Sequence, residues 1–446
     1  MPKVYPFRAV QYRGGEGDVS ALVAPPYDVL DAPGRDRLIA NNEHNIVSLD
    51  LPHVPAKELG PPEAYSGAAE RLRAWLADGT LSQRKTPAIF AYRQTFDFNG
   101  ETYRRCGMAC TVETLPFGPR EGGGVLPHEQ TFSGPKEDRF ALMKATGTQL
   151  SPIFGLHPDD EGRGTQLVHR VMESRPADMT ADLGDGITHE VWTIDDDATI
   201  RAYQDALAGE DVFIADGHHR YTTGLNYLKS LEEKGTVPED HPARRCMIVL
   251  VGMSDPGLAI GPTHRVLGGM KDYSIDAFRA AADTLEFKPA GNDAHALEGA
   301  ITREAEASGR HTIGVLDAAS GACFTASVAS PDPLAAKFPD KPEAWRTLDV
   351  ALIQHLIVEQ VCEPKLNAGE PVKWAFPHSI DEVLAIASGA ETGAGGGGGF
   401  AQLALIVRPT PLDAVREISR ANELMPQKST FFYPKLATGL FINPLG

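Results

Sequence analysis

The segment Asp211-Val-Phe-Ile-Ala-Asp-Gly-His-His-Arg-Tyr221 constrains this chain more than any other. The short apolar run at 212–215 reads as a buried strand, and Asp216-Gly217 stops it. A helix is predicted over 221–231, which leaves His218, His219 and Arg220 in the turn between. A strand that ends in a glycine turn beside a helix start gathers backbone N–H groups at one rim of a sheet. An anion binds well there. The two histidines and the arginine add charge and proton-transfer capacity. The pattern points to phosphate chemistry, without by itself establishing catalysis.

The chain has 446 residues, enough for two or three domains with a sizeable core. At 42% hydrophobic and 23% charged residues it reads as a soluble globular protein. Lys and Arg number 42 against 60 Asp and Glu, a formal charge of -18. That field repels nucleic acid at long range, and no long basic tract offsets it. No apolar run is long enough for a membrane span, and the N-terminus lacks the apolar core of a signal peptide. Cys106, Cys110, Cys246, Cys323 and Cys362 form neither a disulfide framework nor a CxxC pair. They read as core thiols, zinc normally needing about four suitably spaced ligands, and a reducing cytoplasm is the expected compartment.

Two strands are predicted over 88–98 and 102–113, joined at Asn99-Gly100, a strong hairpin signal. Helices are predicted near 67–77, 137–146, 198–208, 275–285, 292–307 and 348–360, with another starting near Pro411. Further strands are expected over 151–156, 189–194, 245–252, 311–316, 322–328 and 400–407. Helices and strands intermix without a repeat, so the fold class is α/β, of mixed α+β type. Four regions are expected: 1–150, 151–269, a smaller α+β module at 270–345, and 346–446 returning to the core. The glycine run at 393–399 reads as a surface loop.

Four polar clusters carry candidate chemistry. In Ala24-Pro-Pro-Tyr-Asp28 the prolines restrict the backbone and aim the Asp28 carboxylate, although a rigid turn is the plainer reading. His128-Glu-Gln-Thr131 is followed by Ser133, Lys136, Asp138 and Arg139. His128 and Glu129 suit proton transfer, while Lys136 and Arg139 suit phosphate oxygens. The third cluster combines Asp216-Gly-His-His-Arg220 with Gly261-Pro-Thr-His-Arg265. Phosphate contact is weighed there against metal ligation by Asp216, His218, His219 and His264, and against purely structural hydrogen bonds. The fourth, Met425-Pro-Gln-Lys-Ser-Thr-Phe-Phe-Tyr-Pro-Lys435, offers Lys428, Ser429, Thr430 and Lys435 in an aromatic setting that is expected to be packed. It lacks the GxxxxG frame of a Walker loop. No GxGxxG follows an early strand and no GxSxG occurs, which leaves the standard dinucleotide fold and the hydrolase elbow with little support.

These ordered motifs, from Ala24-Pro-Pro-Tyr-Asp28 through Ile214-Ala-Asp-Gly-His-His-Arg-Tyr221 and Pro262-Thr-His-Arg265 to Tyr433-Pro-Lys435, resemble the uncharacterised DUF1015 family over nearly the whole chain. The Asp216 to Arg220 turn is also similar to the phosphate-binding signature of the ParB/sulfiredoxin fold. That fold is found in partition CTPases, sulfiredoxin and free-serine kinases. The resemblance implies that Gly217, His218, His219 and Arg220 contact nucleotide phosphates.

The leading expectation is a nucleotide-dependent kinase acting on a small hydroxyl-bearing metabolite such as L-serine. ATP or ADP and Mg2+ would be its cofactors, Asp28 or Glu129 the base, and Asp216 a metal ligand. Phosphatase action on a small phosphorylated metabolite and non-catalytic nucleotide binding remain open alternatives. Nucleic acid and membrane are not expected partners, and there is room for a homodimer.

Overall fold

The computed structural model describes residues 2–56, 58–129, 133–390 and 399–446, without side chains at 133–135. Thr131 and all but the last residue of the 393–399 glycine run therefore lie outside the described residues. The chain forms two compact units, Met1–Ala259 with Phe432–Gly446, and Ile260–Phe431.

The first unit is built on β1 (Ile89–Phe98), β2 (Glu101–Glu113), α1 (Ser133–Thr146), β3 (Ile153–His157), α2 (Arg163–Ser174), β4 (Thr188–Ile194), β5 (Val212–Asp216), α3 (His218–Glu232) and β6 (Arg245–Gly252). Its ten-stranded sheet runs β4-β1-β2-β6-β3-β5 through the middle, with four short strands at the margins. Asn99 and Gly100 both take positive φ (52° and 83°), as the predicted two-residue hairpin requires. Only glycine and a few polar residues adopt that backbone cheaply. β6 is buried from Cys246 to Gly252, because it pairs antiparallel with β2 and parallel with β3. A strand covered on both faces needs a continuous apolar run, and Met247-Ile-Val-Leu-Val251 supplies it. Ile89, Met108, Ile153, Ile214 and Ile248 fill the core around it. The C-terminal tail returns to this unit, where Asn443 pairs with Gln149.

The second unit is a six-stranded sheet of β7 (Arg265–Gly268), β8 (Leu285–Gly291), β9 (Thr312–Asp317), β10 (Cys323–Val328), β11 (Lys373–Ala375) and β12 (Ala401–Ile406). The order is β8-β10-β9-β12-β7-β11, and helices cover it. Phe278, Val315, Leu352, Leu403 and Leu405 form part of its core.

The mixed α/β class is as expected, but the division of the chain is not. Val249 of β6 faces Ala109 on one side and Phe154 on the other, so a boundary at 150 cuts through one sheet. Likewise β9 pairs with β12 across position 345. Alternation along a strand shows that it pairs, not with which distant partner. The predicted helix at 348–360 differs too. After Asp349–Leu352 the backbone is π-helical over Ile353–Cys362. Its polar pairs, Gln354-His355 and Glu359-Gln360, recur five residues apart, a spacing wider than the 3.6-residue α-helical turn. Among the described residues no helix is long and apolar enough to cross a membrane. All five cysteines are buried and free.

Candidate functional site

The predicted strand–turn–helix is present, but α3 begins at His218 rather than Tyr221. His218, His219 and Arg220 therefore form the first helical turn. Gly217 makes the corner with φ 94°, and a Cβ there would lie 3.0 Å from Arg220 Nε. Arg220 folds back across the corner, donating from Nη2 to Asp216 Oδ2 at 2.5 Å and from Nη1 to the Pro152 carbonyl.

Lys435 joins this corner to the first motif. Its ammonium binds the carboxylate of Asp28 and lies 3.6 Å from Asp216 Oδ1. Burial opposes the lysine charge, but Asp216 and Asp28 outweigh it and raise the pKa above the ordinary lysine value. The Arg220 pKa is likewise raised by Asp216 against the pull of burial. Four residues from three distant stretches of the chain thus meet as one charged rim.

Two residues that sequence reasoning missed hold Lys435 in place. Gln94 Nε2 donates to the Lys435 carbonyl at 2.9 Å. Arg105 donates to the Tyr433 carbonyl at 3.0 Å, to the Pro434 carbonyl and to Gln94 Oε1. Arg105 is 1% exposed and lies 4.4 Å from the Phe154 ring centroid. Burial lowers its pKa to about 10. The available signal was an arginine at a core-facing position of an apolar strand.

Behind the rim lies a second charged layer. Arg139 sits 4.1 Å from the Tyr27 ring centroid and pairs with Asp138 at 2.5 Å and Asp50 at 3.4 Å. Ser151 Oγ donates to Asp50 at 2.8 Å, while His53 and Tyr65 bond to Asp138 at 2.5 and 2.8 Å. Burial raises the Asp50 pKa, with Arg139 pulling the other way. Tyr27, Asp50, Arg139, Ser151 and Arg220 line a cavity of about 40 Å³. Lys136 is half-buried at the start of α1. Asp50 and Ser151 carried no motif signal.

His128 and His218 meet as a packed pair, with ring centroids 4.8 Å apart and nearly perpendicular planes. The backbone N–H of His128 donates to His218 Nε2 at 3.4 Å, and His128 Nδ1 donates to the Ile214 carbonyl at 2.8 Å. Burial lowers both pKa values, that of His218 far below the usual range. At neutral pH both rings are uncharged. They brace β5 against the 125–129 segment instead of presenting an exposed acid–base pair. Glu129 and His219 are half-buried.

The remaining candidates belong to the second unit. Arg265, expected to contact phosphate, donates to the carbonyls of Thr263, Gln427 (3.2 Å) and Lys428 (2.9 Å). Ser429 Oγ donates to the Pro426 carbonyl at 2.5 Å, and Thr410 holds the Ser429 carbonyl at 2.6 Å. These bonds shape a loop. His264 is fully buried, and burial lowers its pKa to about 4. Lys428 is exposed with φ 59°, contrary to the packed setting expected for it, and Thr430 is half-buried.

None of the curated proteins compared with this chain matches it. Among solved structures, a conserved hypothetical protein from Pyrococcus furiosus is 14% identical, covering 73% of this chain and 98% of its own, with a TM-score of 0.32. A free serine kinase in complex with AMP is 11% identical, with coverages of 73% and 95% and a TM-score of 0.32. A C-terminally truncated SbnI from Staphylococcus aureus is 9% identical, with coverages of 76% and 87% and a TM-score of 0.31. Likeness this coarse assigns neither an activity nor any residue's role. Residues 4–351 match the family described as a protein of unknown function, DUF1015, and the chain belongs to that family.

Proposed function

We propose that the first unit binds a nucleotide at the Gly217 corner and transfers its terminal phosphoryl group to a small hydroxyl-bearing metabolite, with free L-serine as the first acceptor to test. The observation that carries this reading is the Lys435 ammonium held between the carboxylates of Asp28 and Asp216 at the start of a 15-residue helix. The N–H groups of a first helical turn have no partners within the helix. Together with Lys435 and the Arg220 fork they offer donors to phosphate oxygens.

The ion pair also supplies a way to keep the base inactive until substrate binds. A phosphate entering the corner competes for Lys435, and Asp28 is then released to take the acceptor's proton. The acceptor oxygen bonds to phosphorus as the phosphorus–oxygen bond to the leaving diphosphate breaks. Asp216 presents an oxygen ligand of the kind Mg2+ takes, and the ion would neutralise nucleotide charge when bound. Glu129 is the second candidate base. A ParB/sulfiredoxin-like core, a cytoplasmic location and partners limited to nucleotide and metabolite belong to the same proposal.

Calorimetric titration with ATP, ADP, CTP and GTP in the presence of Mg2+ tests it. Saturable binding is expected in the native protein and at least ~10-fold weaker binding in Arg220→Lys, which keeps charge but loses the planar fork. Asp28→Asn should keep binding and lose most transfer, read as nucleoside diphosphate and phosphometabolite formed. Failure of the native protein to bind any nucleotide ends the proposal.

A further inference from the structure

We propose a second site in the first unit, a transition-metal site formed by Cys106 of β2, His169 of α2 and Asp255 in the turn after β6, suited to Zn2+. It shares no residue with the nucleotide corner and stands independently of that reading. Among the described residues this is the one group of three or more His, Cys, Asp or Glu whose ligand atoms all lie within 4.8 Å of one another. Thiolate, imidazole and carboxylate together match the borderline-soft preferences of zinc, and none of Mg2+, Ca2+ or Mn2+ favours sulfur.

The geometry is close to what the ion needs. Tetrahedral zinc with bonds of about 2.0–2.3 Å separates its ligand atoms by roughly 3.4–3.7 Å. His169 Nε2 and Asp255 Oδ2 are already 3.1 Å apart. The thiol's hydrogen bond to the Arg104 carbonyl, 3.6 Å long, is weak and readily given up.

The carboxylate is oriented by backbone. Asp255 Oδ1 accepts from the N–H groups of Gly257 at 2.9 Å and Cys106 at 3.4 Å, which turns Oδ2 toward His169. Such outer bonds aim ligands in known metal sites. Gly257 permits the approach, since a Cβ there would fall 2.1 Å from the Arg104 carbonyl oxygen. Cys106 and Asp255 are each 4% exposed, whereas the His169 side chain is 33% exposed. The ion therefore has a path along the helix side, and three protein ligands leave a fourth position facing it. Of the nearby cations Arg93 and Arg104, Arg93 is neutralised by two bonds to Glu190 at 2.7 and 2.8 Å. Bound metal would tie α2 to the centre of the sheet.

Cobalt(II) titration of the full-length protein tests the site, because a cobalt–thiolate bond gives a near-ultraviolet charge-transfer band and tetrahedral cobalt gives visible bands. One equivalent is expected to produce both, and zinc to displace it. Cys106→Ser should lose the charge-transfer band. Changing an outer-shell partner alone costs about 10–100-fold in affinity, so His169→Gln, a half-exposed ligand change, should weaken binding by more than ~100-fold. Zinc should raise the melting temperature of the native protein and leave that of His169→Gln unmoved. A folded native protein that shows no charge-transfer band, or a band that persists in both variants, overturns the proposal.

Discussion

Arg220 and Arg265 read alike in the sequence, each directly following histidine in a Gly-containing turn, yet the two units use them differently. Arg220 bonds the Pro152 carbonyl but also meets a carboxylate, Asp216, at a rim where Lys435 and Asp28 converge. Arg265 meets backbone carbonyls and holds the loop at 427–428 in shape. A carboxylate partner is exchangeable, because an incoming phosphate offers the same kind of oxygen. A set of carbonyl partners can be released only by disordering the loop that carries them. The partner, not the arginine, separates a candidate binding group from a folding device.

The strongest test of that distinction is Arg105, whose partners are carbonyls and an amide although it serves the rim. Arg105→Ala strands the Tyr433 and Pro434 carbonyls and opens a hole beneath Phe154. Its expected cost is about 3–5 kcal/mol, measured by urea unfolding. In the fraction that folds, nucleotide binding should fall as well, because Lys435 loses its support. Stability lost with binding intact would detach Lys435 from the site.

Acid should strike both units, and the first harder, because His128 and His218 there are depressed by burial as well. His189 in the first unit and His264 in the second are buried, and burial lowers each pKa to about 4. The unfolded chain then binds more protons than the folded one between pH 6.5 and 4. Stability is full above pH 6.5 and is lost as pH falls toward 4, by up to about 3 kcal/mol for each histidine. Melting curves at pH 7.5 and 5 should show the loss, and His189→Gln or His264→Gln should shrink it. Equal acid sensitivity in the native protein and both variants would place the titrating groups elsewhere.

Arg265→Ala sharpens the comparison from the other side. It should cost about 2 kcal/mol and raise hydrogen exchange at 427–430. Nucleotide affinity should stay within about twofold, given the ~0.5 kcal/mol spread expected of residues away from a site. A tenfold loss of affinity would give Arg265 the role that its sequence suggested.

Local structure was largely legible. Asn99-Gly100 demanded its hairpin, and the apolar run at 245–252 demanded a buried strand. Asp28, Arg220 and Lys435 were visible as members of motifs. Their meeting was not visible, since 407 residues separate Asp28 from Lys435 and only the return of the C-terminal tail joins them. Asp50, Gln94, Arg105 and Ser151 were hidden for a related reason. Each is a single polar residue in an unremarkable stretch, and burial beside a partner gives it a role. The helix start was missed by one turn because nothing in His-His-Arg resembles a cap, and Gly217 does that work through its φ.

The smallest predicted effect separates the two C-terminal lysines, which the sequence placed in one motif. Lys435 is drawn to two carboxylates, and Lys435→Met should weaken nucleotide binding by at least ~10-fold through loss of a charge-assisted contact. Lys428 is exposed, and Lys428→Met should change stability by less than about 0.5 kcal/mol and affinity by less than about twofold. Both are read from one calorimetric titration and one melting curve per variant. Were Lys428→Met to weaken binding as much as Lys435→Met, the second unit would have to supply a phosphate contact of its own. The distinction drawn from Arg220 and Arg265 would then describe two arginines and not two units.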